Sequence, residues 1–155
     1  MKKLDNIDRR ILRELEANSK ITMMVLADRV GLSATPCIRR VRSLEESGII
    51  KRWTIDLDRK ALGLNFTVFV FAKVVRHHES GWQSLVDRIQ QWEEVVHCLS
   101  LSGELDLVLE VSVEDPDAYE EFLFNKLLKE GAITEVSSNF VVREFKEACQ
   151  RIPST

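Results

Sequence analysis

The sequence predicts an α+β chain, in which an N-terminal three-helix, winged helix-turn-helix domain is followed by a ferredoxin-like βαββαβ sandwich domain. Three observations carry that prediction. Between positions 5 and 50 apolar residues recur at helical spacing, in three segments separated by capping residues and glycine. From Phe66 onward the period changes to strand-like alternation, broken twice by helical segments. The charge divides at nearly the same place: residues 1–60 hold 14 Lys and Arg against 9 Asp and Glu, and residues 61–155 hold 8 against 16. The chain as a whole carries −3, yet its first part is basic, and a polyanion responds to local field rather than to the total.

The first helix runs from Asp5, its cap, to Asn18, with Ile7, Ile11, Leu12 and Leu15 at core spacing. The second occupies Ile21–Val30, with Thr22 as cap and Gly31 as a left-handed stop. The turn Gly31-Leu32-Ser33 is too short to lay two helices antiparallel. It suits a crossing near a right angle, and the small Ala27 permits close approach. In the stretch Gly31–Ile50, Ser33 can accept hydrogen bonds from freed backbone N–H groups and Gly48 closes the helix. At about 100° per residue, Ala34, Cys37, Ile38, Val41 and Leu44 fall on a packing side, and Thr35, Arg39, Arg42, Ser43 and Glu46 on the other. Pro36 is tolerated in the first turn, where its missing N–H has no partner to lose.

A solvated basic face on an ordinary amphipathic helix has this composition too. The helix and turn in front of it favour a helix-turn-helix, whose second helix enters the major groove of DNA with its N-terminal residues leading. The candidate DNA contacts are Ser33, Thr35, Pro36, Arg39, Arg40, Arg42 and Ser43. Arg39 and Arg42, with Thr35 and Ser43, would face base edges and flanking phosphates, while Ser33 and the helix N-terminus would meet the backbone. Arg40 lies off the centre of that face, as a phosphate contact or a surface ion pair.

After Gly48, Ile49–Leu57 reads as a strand, with Lys51 and Arg52 either a phosphate-touching wing or simply solvated. Asp58–Asn65 reads as a helical turn and hinge. The expected organisation is therefore a DNA-binding domain over 1–50, a strand and hinge linker over 51–65, and a βαββαβ effector-binding and oligomerisation domain over 66–155. Within the last, Phe66–Val74, Val95–Leu101, Leu105–Val113 and Ile133–Phe145 are strands. Ser80–Trp92 is a helix, and Asp115-Pro116 opens another that Gly131 ends. Two helices cover one sheet face only, yet the first strand is apolar on both: Phe66, Val68, Val70, Ala72 and Val74 on one side, Phe69 and Phe71 on the other. A second subunit stacking its sheet there is the simplest cover, and a homodimer doubles the reading helices to match a two-fold site.

Several classes are disfavoured. No apolar run is long enough to span a bilayer and the first residues lack the apolar core of a secretory signal, so a cytoplasmic location and no membrane partner are expected. Cys37, Cys98 and Cys149 are odd in number, far apart and without C-x-x-C spacing, which indicates neither a disulfide framework nor a zinc site. Cys37 falls on the packing side, where a redox role is the lesser reading. His77-His78-Glu79 lacks a third ligand at a useful spacing, so no metal site is expected. No phosphate loop, nucleophile elbow or acid/base pair appears, and neither an enzyme nor a cofactor is expected.

The run L-D-x-I-D-R-x-I-L, then L-A-x-R-V-G-L-S-x-T-P-C-x-x-R-V-x-x-L-E-x-x-G-I-I without a gap, then a βαββαβ pattern with glycine and aspartate between its middle strands, resembles the Lrp/AsnC (feast/famine) family of bacterial and archaeal transcription regulators. The resemblance spans essentially the whole chain. It implies dimers assembling into higher oligomers such as tetramers or octamers, DNA bending or wrapping at the nucleoid, and an amino acid or related metabolite held between subunits by the second domain. It also implies an effector region. Gly103-Glu104-Leu105-Asp106 matches the family's G-D-F-D or G-x-Y-D turn, where Asp106 would pair with a ligand ammonium or, alternatively, satisfy the turn's own backbone. Asn139, Phe140 and Val141 match the other side of the family's pocket, and Pro116 a position that contributes a contact. Leu105 departs from the usual aromatic, which alters pocket shape. The function expected is a sequence-specific DNA-binding regulator responding to an amino acid. The alternative is an effector-independent protein that wraps DNA and organises the nucleoid.

Overall fold

The computed structural model describes residues 3–75, 79–146 and 152–153, positions 79 and 80 by backbone alone. The chain divides into two compact units, one of Met1–Asp56 with Lys146–Thr155 and the other Leu57–Phe145.

The first unit holds α1 (Asn6–Ala17), α2 (Met23–Val30) and α3 (Ala34–Glu46). Asp5 caps α1 by accepting from the Asp8 N–H, and Thr22 caps α2 by accepting from the Val25 N–H, each satisfying a donor that the helix itself leaves unpaired. Gly31 and Gly48 follow α2 and α3 at φ 74° and 70°, a left-handed conformation in which a Cβ is penalised. The Leu32 N–H donates back to the Ala27 carbonyl across the turn, at 2.8 Å. Ile11, Leu15, Ile21, Leu26, Ala27, Val30, Cys37, Val41 and Leu44 form the buried core, so every helix contributes.

The second unit is a four-stranded antiparallel sheet, β1 (Phe66–Val74), β2 (Val95–Ser100), β3 (Leu107–Val113) and β4 (Ile133–Phe140), in the order β2-β3-β1-β4. With α4 (Glu79–Ile89) and α5 (Pro116–Asn125) it makes the βαββαβ ferredoxin-like fold. Asp115 caps α5 by accepting from the Ala118 N–H, and Pro116 stands at the helix start. Because side chains alternate across a strand, Val68, Val70, Ala72 and Val74 join Leu107, Leu109, Val111 and Val113 against Leu85, Ile89, Tyr119 and Phe122 of the helices. The opposite face carries a row Leu99, Val108, Phe71 and, beside it, a mixed row His97, Glu110, Phe69, Asn139. Phe69 is 39% exposed there, and Arg59 reaches the same face, its Nη1 donating to Glu110 Oε1 at 2.6 Å.

Four expectations are corrected. The run Ile49–Leu57 forms no strand, because no described segment supplies it with a ladder. Asp58–Asn65 is the hydrogen-bonded turn expected, with Asp58 Oδ1 accepting from the Lys60 and Ala61 N–H groups. The last strand stops at Phe140 rather than Phe145, since β1, its ladder partner among the described residues, begins at Phe66; Val141 makes the final bond, to the Thr67 carbonyl. The helix expected to reach Gly131 leaves α geometry at Lys126 and continues as a 3-10 turn, Leu127–Lys129, which still buries Leu127. Ser33 takes the extended backbone of a cap, but its side chain makes no capping bond.

Candidate nucleic-acid interface and effector region

On α3 the buried stripe is Cys37, Val41 and Leu44. That spacing covers a narrower arc than expected, so Ala34 and Ile38, placed on the packing side by the sequence, are exposed, Ile38 by 49%. Thr35, Arg39 and Arg42 point away from the core. The Arg39 side chain makes no hydrogen bond or ion pair with the described residues. Arg42 Nε donates to Glu46 Oε1 at 2.9 Å, a pair so exposed that solvent screening leaves it weak and easily exchanged. Ser43 and Pro36 are half-buried on the flank, and Ser33 is exposed at the helix start.

Arg40 is placed differently from its neighbours. Its Nη1 donates to Asp5 Oδ2 at 2.7 Å and to Asp8 Oδ1 at 2.8 Å, both at the start of α1. The Asp8 N–H first, and then the Arg40 guanidinium, hold the Asp5 carboxyl below its ordinary range, and the same bonds push Arg40 up. One contact escaped the sequence: the Trp53 indole Nε1 donates to Glu45 Oε1 at 2.7 Å, tying the run after α3 back to it. The exposed apolar alternation Trp53, Ile55, Leu57 was the available signal, and it pointed to a strand instead. Burial pushes the Cys37 thiol up, away from the thiolate that redox chemistry needs.

In the second unit, Gly103 and Glu104 are exposed, and Leu105 and Asp106 half-buried, in the β2–β3 connection. Asp106 is bound into the sheet end. Its Oδ2 accepts from the Val74 N–H at 2.9 Å, its N–H donates to the Ala72 carbonyl at 2.9 Å, and its carbonyl accepts from the Leu101 N–H at 2.8 Å. That side-chain bond goes to β1 rather than to the backbone of Asp106's own turn. Asn139, Phe140 and Val141 are exposed at the opposite end of β1, with Pro116 exposed at the start of α5. The Phe140 ring lies 5.2 Å from Phe66 and 5.9 Å from Tyr119. Phe140 pairs with Val68, whereas Asp106 bonds Val74, six residues further along β1 and so about 20 Å away. One chain does not bring the two halves of the expected effector region together. A cleft between α4 and β2, lined by Val86, Ile89, His97 and Cys98 among others, contains none of these residues. Among the described residues no three His, Cys, Asp or Glu side chains group as metal ligands; His77, His78 and Cys149 lie outside them. No helix among them is long and apolar enough to cross a membrane.

Residues 4–51 match the family model described as winged helix-turn-helix DNA-binding, and residues 67–150 match the Lrp/AsnC ligand binding domain. The leucine-responsive regulatory protein of Rhizobium meliloti is 35% identical over 147 residues, covering 95% of this chain and 94% of that protein. That of Escherichia coli K12 is 34% identical over 154 residues, covering 99% and 94%. Among solved structures, an AsnC family transcriptional regulator from Agrobacterium tumefaciens superposes with a TM-score of 0.90 at 34% identity, covering 97% of each chain. A transcriptional regulator from Neisseria meningitidis, crystallised as its L-Met complex, gives 0.89 at 30% identity, covering 94% of each. A basic helix-turn-helix joined to a ligand-binding α+β domain defines a DNA-binding transcription regulator. Within that class, the chain belongs to the Lrp/AsnC family.

Proposed function

We propose that the protein is a sequence-specific regulator that acts in the cytoplasm at the nucleoid, and whose DNA affinity or assembly responds to an amino acid or a closely related metabolite. The observation that carries the DNA half is the row Thr35, Arg39, Arg42, presented to solvent by a helix whose opposite stripe is fully packed. Arginine on such a row can form paired hydrogen bonds with guanine, a discrimination of about 1–3 kcal/mol per contact. Ser33, Pro36 and Ser43 flank the row, where they would meet the sugar-phosphate backbone.

The effector half rests on Gly103–Asp106, Pro116 and Asn139–Val141. Since one chain holds these groups about 20 Å apart, a pocket built from both ends requires a second subunit. The apolar row Leu99, Val108, Phe71 on the helix-free sheet face gives that subunit a place to stack, and dimers would then associate further into tetramers or octamers. The L-Met complex of the Neisseria meningitidis relative makes amino acids the first ligands to test. Effector binding would shift control only by favouring one assembly over another, with coupling of about 1–3 kcal/mol.

The test is a thermal-shift screen of the full-length protein against the twenty amino acids, followed by DNA binding with and without any hit. A ligand at one hundred times its Kd stabilises by about 2.7 kcal/mol through mass action. A rise in Tm for one amino acid, paired with a changed DNA affinity, is the expected result; no shift with all twenty counts against amino-acid control.

A further inference from the structure

Of the three arginines on α3, one is built into the fold rather than offered to a partner. A single guanidinium nitrogen of Arg40 is shared by Asp5 and Asp8, carboxylates three residues apart where α1 begins. The Asp8 side chain is 3% exposed, and a carboxylate so far from water is tolerated only with a counter-charge and hydrogen bonds in place. Asp5 uses its other oxygen to cap α1. The cap of one helix and the middle of another are therefore joined through one side chain. Ile11 and Leu15 of α1 share an apolar core with Cys37, Val41 and Leu44 of α3, and apolar packing is non-directional: it holds the two helices together but specifies rotation weakly. Charge-assisted hydrogen bonds do specify it.

We propose that the Asp5–Asp8–Arg40 bridge sets the rotation of α3 about its own axis so that Arg39 and Arg42 meet the groove, and that Arg40 is a positioning residue that touches no phosphate. The proposal rests on α3 being the DNA-facing helix. It predicts an unusual sign. Removing a negative charge near bound DNA strengthens binding if field alone acts, whereas removing Asp8 weakens binding if the bridge acts.

The experiment uses full-length protein and a duplex that the protein itself enriches from a random-sequence pool, with affinity read by fluorescence anisotropy over a salt series. Arg40→Gln is expected to bind about tenfold more weakly, the scale of one lost charged hydrogen bond, with an unchanged slope of log affinity against log salt. A lost phosphate contact instead lowers that slope by about 0.9. Asp8→Asn is expected to weaken binding comparably, and the double variant to be no weaker than either single one. A slope reduced by about 0.9 in Arg40→Gln, or equal or tighter binding by Asp8→Asn, overturns the bridge. Should either variant fail to fold, Asp5→Asn keeps a capping acceptor and is read in the same way: weaker binding at unchanged slope supports the bridge, and equal or tighter binding overturns it. Arg39→Ala runs alongside. If it binds as the parent does, α3 is not the reading helix. That failure is distinct from one of the bridge alone, in which Arg39→Ala weakens binding and Arg40→Gln changes the slope.

Discussion

The Val74 N–H at the end of β1 depends on a carboxylate from 32 residues away, and that dependence splits two roles of Asp106 that sequence alone could not separate. Truncation to alanine leaves a part-buried donor without this acceptor, at a cost of about 1–3 kcal/mol. Asp106→Ala is therefore expected to lower the urea midpoint, while Asp106→Asn, which keeps an acceptor oxygen and loses the charge, is expected to hold stability and lose any ligand-induced melting shift. A ligand shift that survives in Asp106→Asn returns the residue to its backbone role alone. Asp5 shows the same division. Its capping of α1 was legible because the partner, Asp8, is three residues away; its bond to Arg40 was not, because that partner is 35 residues away and only tertiary packing brings it near. The carboxyl of Asp5 is held below its ordinary value of 3.8, chiefly by the Asp8 N–H and next by Arg40. A depressed carboxyl contributes stability that is present above the unfolded value and is lost as pH falls through the folded one. The acid limb below pH 3.8 should thus be shallower in Asp5→Asn than in the parent, by circular dichroism across an acid titration; identical limbs would show that the bond carries no linkage.

At the scale of the element, α3 was legible in its ends and its composition and less so in its orientation. Gly48 announced the stop by its need for positive φ, and Pro36 fixed the first turn, since both act locally. Ile38 was misplaced because helical periodicity gives a stripe but not its width, and here two neighbouring helices bury only Cys37, Val41 and Leu44. The run after the helix failed as a strand for a similar reason: the alternation of Trp53, Ile55 and Leu57 fits a ladder, but a ladder also needs a partner, and Trp53 is instead engaged by Glu45. The exposed Arg42–Glu46 pair leads to a prediction about this face. Glu46 both occupies Arg42 and places a negative charge on the side proposed to face DNA, so Glu46→Gln is expected to tighten binding severalfold, while Arg39→Ala and Arg42→Ala each weaken it by about tenfold or more. Anisotropy titrations at one fixed salt concentration check all three; parental affinity in both Arg39→Ala and Arg42→Ala removes the proposed reading face.

For the molecule as a whole, the order of strands and helices from Phe66 onward was readable because period, caps and turn residues agree there, and the two-faced apolar character of β1 announced a sheet with one side lacking helices. What one chain's pattern could not supply is the distance between the proposed effector residues, which lie at opposite ends of β1. Under the proposed effector reading, the helix-free face would align a second sheet so that the Asp106 end of one subunit approaches the Asn139–Val141 end of the other. Phe69 stands in β1 on that face, away from the helix-side core of Val68, Val70 and Ala72. Introducing charge there, as Phe69→Glu, leaves the helix-side packing intact but sets two carboxylates into the face proposed to be buried between subunits, where unpaired charge is heavily penalised. The variant is expected to sediment as a folded monomer with a parental far-UV spectrum. Its DNA affinity should fall by more than any single α3 arginine change, because two reading helices no longer arrive linked and the second half-site loses its raised effective concentration. It should also lose the ligand shift while keeping Asp106 untouched, a combination that only a pocket completed by the partner subunit produces. A folded dimer that still responds to ligand would place both the interface and the effector site elsewhere on the chain.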